Sequence, residues 1–407
     1  MESRCSFKIW HKKKKEYINC KFPICKNESK LNVCEIHLPL NEIGPHGKMV
    51  LCPECNDKMG ENTLKKHLEK CQKYVQRKRI KLISDDNIIT PRIWQKNTMK
   101  INDIPKEIIS KLEKVVNENY KKFNIEIEKG LLYNEDIINK DFENVYPKEQ
   151  LSGKNSKNIF QEISIFENTK KLNLILNGNQ NIIVELGCGA AELSKTFQIG
   201  CKNNSSHILI DRMKYASKNK FDGHIQERIN ESNKNNNYNN FIVRDIIDIK
   251  DMDMKNYVNK EKEKENNNTI FISKHLCGNA FELSIEKIIS YHNYLLENQI
   301  EKNNKIGIVI ATCCHYLLNS NTYCNFDYIK DILNISKEEF DYMIRLTSWG
   351  TLKDTQSEHF KLGKKIKYIL DRGRCEYLKQ HGFKNIKIVE YIDSTFTKEN
   401  TLVIAYN

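Results

Sequence analysis

The chain has 407 residues and a formal net charge of +13, and 39% of its residues are apolar. It is long enough for one large domain and one or two small ones, and it has no run of about eighteen apolar residues, which excludes a transmembrane helix by hydropathy. It opens without the apolar core of a signal peptide, so a soluble intracellular setting, cytoplasm or nucleus, is expected; there its fourteen cysteines suit metal better than a disulfide framework.

Seven of those cysteines fall in the first 71 residues. Residues 1–40 hold Cys5, Cys20, Cys25, Cys34 and His37, five donors for the four places of a tetrahedral zinc. Cys5, Cys34 and His37 are firm by spacing, whereas Cys20 and Cys25 compete for the remaining place. Lys12 to Lys15 lie between the first two ligands. Residues 48–75 read Cys52-x2-Cys55-x11-His67-x3-Cys71, a knuckle followed by a helix over 63–70 that carries His67 and Cys71 on one face. Both sets are closed, structural patterns with no position left for a reacting group. Two zinc ions are therefore expected, one in each module. Residues 1–82 carry 19 Lys and Arg against 9 Asp and Glu, so most of the net charge sits on this small part. A basic module beside a near-neutral domain points to a polyanionic partner, and nothing marks an obligate protein partner or a membrane.

Residues 76–102 read as a linker. Residues 103–175 read as a helical segment capping the next domain: Ile104, Ile108, Leu112, Val115, Val116, Tyr120 and Phe123 form one stripe, and a second helical run covers 159–174. From 176 to 407 strands alternate with helices. The strands are 181–186, 208–212, 241–246, 270–273 and 306–311, with a terminal hairpin at 386–392 and 401–406. This is the α/β pattern of a Rossmann-like, doubly wound sheet with an antiparallel end. Asn- and Lys-rich stretches near 228–240 and 254–268 read as low-complexity loops without structure.

The strand Asn181-Ile182-Ile183-Val184-Glu185-Leu186 runs into Gly187-Cys188-Gly189 and then a helix start. A P-loop would end Gly-Lys-Ser/Thr, and a dinucleotide turn would place a third glycine where Glu192 stands. The Glu-x-Gly-x-Gly that remains is the turn of S-adenosylmethionine-dependent methyltransferases. The turn backbone from Gly187 to Gly189 would take the methionine end of the cofactor, with the acidic Glu185 at the strand end where such sheets bind ligands. Asp211 ends the next strand and would hold the ribose hydroxyls. Asp245, with Ile246 packing on the ring, would hold the adenine. The acceptor belongs beyond the following strands, at Lys274-His275 and Cys313-Cys314-His315. There His275 suits a general base, and Lys274 an electrostatic or basic role. Cys277, Cys313, Cys314 and His315 read as either a further metal site or packed thiols.

These residues together carry a resemblance. Cys52-Pro53 through His67-Leu68-x-x-Cys71, Glu185-Leu186-Gly187-Cys188-Gly189, Leu209-Ile210-Asp211-Arg212, Arg244-Asp245-Ile246, Lys274-His275-Leu276-Cys277-Gly278, Ala311-Thr312-Cys313-Cys314-His315, Ser348-Trp349 and Asp371-Arg372-Gly373-Arg374 occur in order. Together with the N-terminal Cys-Cys-Cys-His module, they resemble the eukaryotic tRNA 2′-O-methyltransferases that modify the fourth nucleotide of the acceptor stem. The resemblance implies S-adenosylmethionine as cofactor, the tRNA acceptor stem as partner and RNA-binding fingers. Two departures stand out: Cys55 replaces the first histidine of a Cys-His-His-Cys finger, and Ala191 replaces the third glycine of the turn. Residues 100–175 match only loosely. The residues leave two other classes open: a methyltransferase on another RNA or a protein, and a non-catalytic zinc-finger RNA-binding or splicing component.

Overall fold

The computed structural model describes residues 4–11, 16–28, 30–53, 57–68, 99–131, 142, 146, 156–175, 181–215, 221–236, 239–257, 267–300 and 304–407. Two compact units divide the chain, Met1–Thr90 and Pro91–Asn407.

In the first unit, β1 (Lys8–His11) and β2 (Glu16–Asn19) form an antiparallel hairpin. Strands β3 (Ile43–Gly44), β4 (Gly47–Leu51) and β5 (Lys58–Gly60) make a small antiparallel sheet, and α1 (Glu61–Leu68) follows. Among the described residues there is little apolar core here. The buried cluster around residues 5–34 consists of Cys5, Cys20 and Cys34 themselves, which is why such a module depends on its thiols.

The second unit is built on one eight-stranded sheet. In chain order its elements are α2 (Lys106–Asn119), β6 (Ile127–Lys129), α3 (Ser156–Lys171), β7 (Asn181–Leu186), α4 (Glu192–Gly200), β8 (Ser205–Asp211), α5 (Asp222–Asn236), β9 (Ile242–Ile246), β10 (Asn267–Ser273), α6 (Ala280–Glu297), β11 (Asn304–Ala311), α7 (Phe326–Leu333), α8 (Lys337–Leu346), α9 (Glu358–Gln380), β12 (Asn385–Glu390) and β13 (Thr401–Tyr406). The strand order is β6-β12-β13-β11-β10-β7-β8-β9. Strands β11, β10, β7, β8 and β9 pair in parallel, and β13 is antiparallel to both β11 and β12. The order reverses between β7 and β10, so the crevice of a doubly wound sheet opens beyond the C-terminal ends of those two strands.

Both faces of the sheet are covered, and successive side chains serve opposite faces. Ile182, Val184 and Leu186 of β7 join one core with Phe271, Ile308 and Val403. Ile183, between them, joins the other with Ile270, Val309 and Leu402. Strands buried on both sides must be apolar throughout, which accounts for the unbroken Ile/Val runs of the sequence.

Four expectations change. Helix runs from 106 to 119 and is followed by a 3-10 turn, but residues 127–129 extend the sheet as β6, parallel to β12. The segment read as a cap is part of the domain's own core: Phe160, Ile163 and Phe166 of α3 are buried with Phe197 of α4. So closely do α3 and α4 meet that a Cβ added at Gly200 would lie 2.2 Å from the Phe166 ring. Residues 222–236, whose second half the composition leaves as a structureless insert, are helical. Ile225 and Ile229 lie one turn apart and bury against Leu209, while the Asn and Lys residues occupy the outer face. Of the insert near 254–268, residues 254–256 form a 3-10 turn with Met254 buried, 267 begins β10, and 258–266 lie outside the described residues. The linker lies outside them except for 99–102.

Candidate active site and metal centre

The glycine turn after β7 is held from three sides. Gly187 and Gly189 have φ of 67° and 48°, the left-handed region open to glycine. Gly187 N–H and the intervening Cys188 N–H donate to the Ile210 carbonyl at 2.9 and 3.0 Å. Gly189 N–H donates to Asp211 Oδ2 at 2.8 Å, and Met213 N–H donates to Oδ1 at 2.8 Å. Arg244 donates from Nη1 to the Gly189 carbonyl at 3.0 Å while gripping Asp222 with Nε and Nη2, each at 2.7 Å. Among the described residues the space beyond the turn is open: a Cβ at Gly189 would meet only the Tyr215 ring, at 3.9 Å.

Each acidic strand end has a distinct environment. Glu185 is buried and accepts the Ser194 N–H at 3.0 Å, satisfying one of the unpaired donors in the first turn of α4. Burial pushes its pKa up to about 7, against the lowering effect of Ser194. Glu185 therefore braces the strand to the helix. Asp211 is half-buried, and each of its oxygens keeps a lone pair beyond the backbone bond it accepts. Asp245 accepts from the Tyr257 hydroxyl at 2.6 Å beside Ile246, and both residues are half-buried.

Beyond β10, Lys274 turns inward to an ion pair with Glu162 of α3, both almost fully enclosed. Burial raises the Glu162 pKa, and Lys274 works against that rise. The ion pair thus holds α3 to the end of β10. His275 next to it has φ of 71° and an exposed ring. Local desolvation and then the Lys274 charge lower its pKa, which favours the neutral imidazole.

The cysteine–histidine group splits. Cys277 Sγ lies 3.4 Å from Cys313 Sγ and 3.3 Å from Cys314 Sγ, bringing the loops after β10 and β11 together. His315 points elsewhere: its Nε2 meets Asp371 Oδ1 at 2.8 Å in the interior. Asp371 also accepts from Thr312 Oγ1 at 3.0 Å and Arg374 Nη1 at 2.9 Å, and Arg374 pairs with Glu282 at 2.8 Å. Burial would raise the Asp371 pKa, but His315 and Arg374 outweigh it and hold it below the usual range. This network ties the β11 loop to α6 and α9.

In the first unit Cys5, Cys20, Cys34 and His37 bring their ligand atoms within 4.8 Å of one another. His37 Nδ1 lies 3.4 Å from both Cys5 Sγ and Cys34 Sγ, and Cys20 Sγ lies 3.9 Å from Cys34 Sγ. Tetrahedral zinc requires roughly 3.6 Å between S and N donors and roughly 3.8 Å between sulfurs, so the donor set fits. Phe7 stacks on the His37 ring at 4.1 Å. Cys25 is outside the group; its N–H donates to the Val33 carbonyl at 3.0 Å. Of the two competing cysteines, Cys20 is the one in the group; at the end of the β1–β2 hairpin its N–H donates to the Phe7 carbonyl at 2.8 Å. In the second set, Cys52 is buried and His67 lies on α1, while Cys55 and Cys71 lie outside the described residues.

Spacing did not single out Glu162, Arg244 or Tyr257. Glu162 left one trace, an acid inside the apolar face of α3. Arg244 stood in the Arg244-Asp245-Ile246 block without a role, and Tyr257 left no trace, because their partners are 22 and 12 residues away along the chain.

A family model described as Methyltransferase TRM13 matches residues 160–361 and 353–406, more than half of the chain. The chain is 29% identical to a tRNA:m(4)X modification enzyme TRM13 homolog of Dictyostelium discoideum, over 87% of this chain and 72% of that one. It is 27% identical to the tRNA:m(4)X modification enzyme TRM13 of Vanderwaltozyma polyspora, over 97% and 98%. The Homo sapiens homolog of the same description is 24% identical, over 99% and 94%.

Proposed function

The chain belongs to the TRM13 methyltransferase family, and on that premise we propose that it transfers the methyl group of S-adenosylmethionine to the ribose 2′-hydroxyl of the fourth nucleotide of the tRNA acceptor stem. The observation carrying the reading is the convergence of the Gly187–Gly189 turn, Asp211 and Asp245 at the ends of three adjacent parallel strands, with an open cradle beyond Gly189. S-adenosylmethionine, bound there, supplies an electrophilic methyl on sulfonium.

The residues then divide the work. The bare backbone of Gly187 and Gly189 admits the methionine end. Asp211 accepts the ribose hydroxyls with the lone pairs its backbone bonds leave over. Asp245, oriented by Tyr257, takes the adenine amino group, and Ile246 packs on the ring. Methyl transfer to a hydroxyl needs alignment and removal of one proton. With Lys274 committed to Glu162, His275 is the neutral base at the crevice and takes the proton from the 2′-hydroxyl. A carbon-linked base edge needs a flipped-base pocket, whereas an A-form stem displays its 2′-hydroxyls in a wide, shallow groove.

The modules at 1–40 and 48–75 each hold one structural zinc and supply the basic contact to RNA; 76–102 links them to the catalytic part, 103–175 and 176–407 together. Among the described residues no helix is long and apolar enough to cross a membrane. Incubating the purified full-length protein with tRNA and S-adenosylmethionine tests the reading. An alkali-resistant dinucleotide at position four is expected. A methylated base in fully alkali-labile RNA overturns it.

A further inference from the structure

The thiols of Cys277, Cys313 and Cys314 have no place in the reaction just described, yet two loops converge to bring them together. Cys277 follows β10 and Cys313-Cys314 follow β11, strands paired in parallel up to Ser273 and Ile310. The three sulfurs all lie within 4.8 Å of one another, with Cys313 buried, Cys314 half-buried and Cys277 exposed. Three residues at this junction hold left-handed backbone: His275 at 71°, Gly278 at 60° and Cys314 at 46°. For histidine and cysteine that conformation costs free energy, and it is held here beside the three converging sulfurs.

We propose that Cys277, Cys313 and Cys314 form a third zinc site, with three thiolate ligands and a fourth position open to the crevice. The separations of 3.3 and 3.4 Å are far from the roughly 2.05 Å of a disulfide. They fall a few tenths of an ångström short of the roughly 3.8 Å that sulfurs take around tetrahedral zinc, a spread that an exposed Cys277 and a loop-borne Cys314 can make. Three converging thiolates select a soft or borderline cation over magnesium or calcium. On binding, the three thiols lose their protons to solvent. No fourth Cys, His, Asp or Glu among the described residues joins the group, and His315 is held through Nε2 by Asp371. Three protein ligands and an open place is the arrangement of zinc sites that take an exchangeable oxygen ligand, whereas Cys5, Cys20, Cys34 and His37 supply all four. The site pins the β10 and β11 loops together, and the inference does not depend on the reaction proposed above.

The experiment is metal content of the full-length protein, with Cys277→Ser and Cys314→Ser as separate variants, each checked for folding by thermal unfolding. Each variant is expected to hold one zinc fewer per chain than the parent and to keep the rest. Equal zinc in the parent and both variants overturns the site. Cobalt loading addresses the fourth position. The parent-minus-Cys277→Ser difference spectrum should show thiolate charge-transfer bands, and its ligand-field bands should shift when imidazole is added. Bands that stay fixed in imidazole mean a closed site and overturn the open position.

Discussion

Asp211 Oδ2 accepts the N–H of Gly189 at 2.8 Å, so the acid ending one strand fixes the turn that leaves its neighbour. A residue read as a cofactor ligand thus also shapes the cradle in which that cofactor would lie. Both roles fail together in Asp211→Ala. The expected loss is roughly 1.5–3 kcal/mol of S-adenosylmethionine affinity, the range for hydrogen bonds to a charged group. Calorimetric titration measures it, and an unaltered Kd refutes the assignment.

Glu185 makes stability depend on pH. Its folded pKa is raised to about 7, by burial first, with Glu162 adding to the rise and Ser194 and Lys274 opposing it. A raised acid favours folding below its unfolded value, near 4.5, and that benefit is lost as pH climbs through 7. Ionised, it costs about 3 kcal/mol relative to the unfolded chain. Glu185→Gln keeps an acceptor for Ser194 N–H and avoids the charge. It should therefore unfold at a higher temperature than the parent at pH 8, with the gap closing by pH 5. Parallel melting curves at both pH values would count against this account.

His275→Ala should lose turnover by roughly a hundredfold or more while keeping S-adenosylmethionine and zinc. Single-turnover methylation with saturating cofactor reads the chemical step. Near-normal turnover would move the base to another group.

Cys20→Ala should cost the first module its ion, whereas Cys25→Ala should keep it, because Cys20 alone shares the cluster with Cys5, Cys34 and His37. Metal analysis of the two full-length variants decides between them, and a loss in Cys25→Ala reverses the ligand choice.

Asp371→Ala should destabilise the catalytic unit by about 3–5 kcal/mol, the cost of breaking a buried, hydrogen-bonded ion pair. It strands His315 Nε2, Thr312 and one side of Arg374 at once. Urea unfolding measures it. A loss under about 1 kcal/mol would mean that water takes over the site.

What the sequence determined by itself was local or periodic. The Ile/Val run entering Gly187-Cys188-Gly189 specifies a buried strand and a left-handed turn within a few residues. Asp211 and Asp245 end apolar strands, and parallel strands in one sheet bring their ends to a common edge. Cys34-x2-His37 spans a single turn, so its spacing is already its geometry. The tertiary structure alone decided what depends on distant partners. Cys20 rather than Cys25 enters the cluster, at the end of a hairpin where its N–H meets the Phe7 carbonyl. Lys274 is neutralised by Glu162, 112 residues earlier. His315 leaves its neighbouring cysteines for Asp371, 56 residues on. An Asn- and Lys-rich stretch becomes helix because Ile225 and Ile229 find Leu209 on the sheet. Side chains carry their chemistry in the sequence, but burial and pairing between distant segments are fixed only when the chain closes around them.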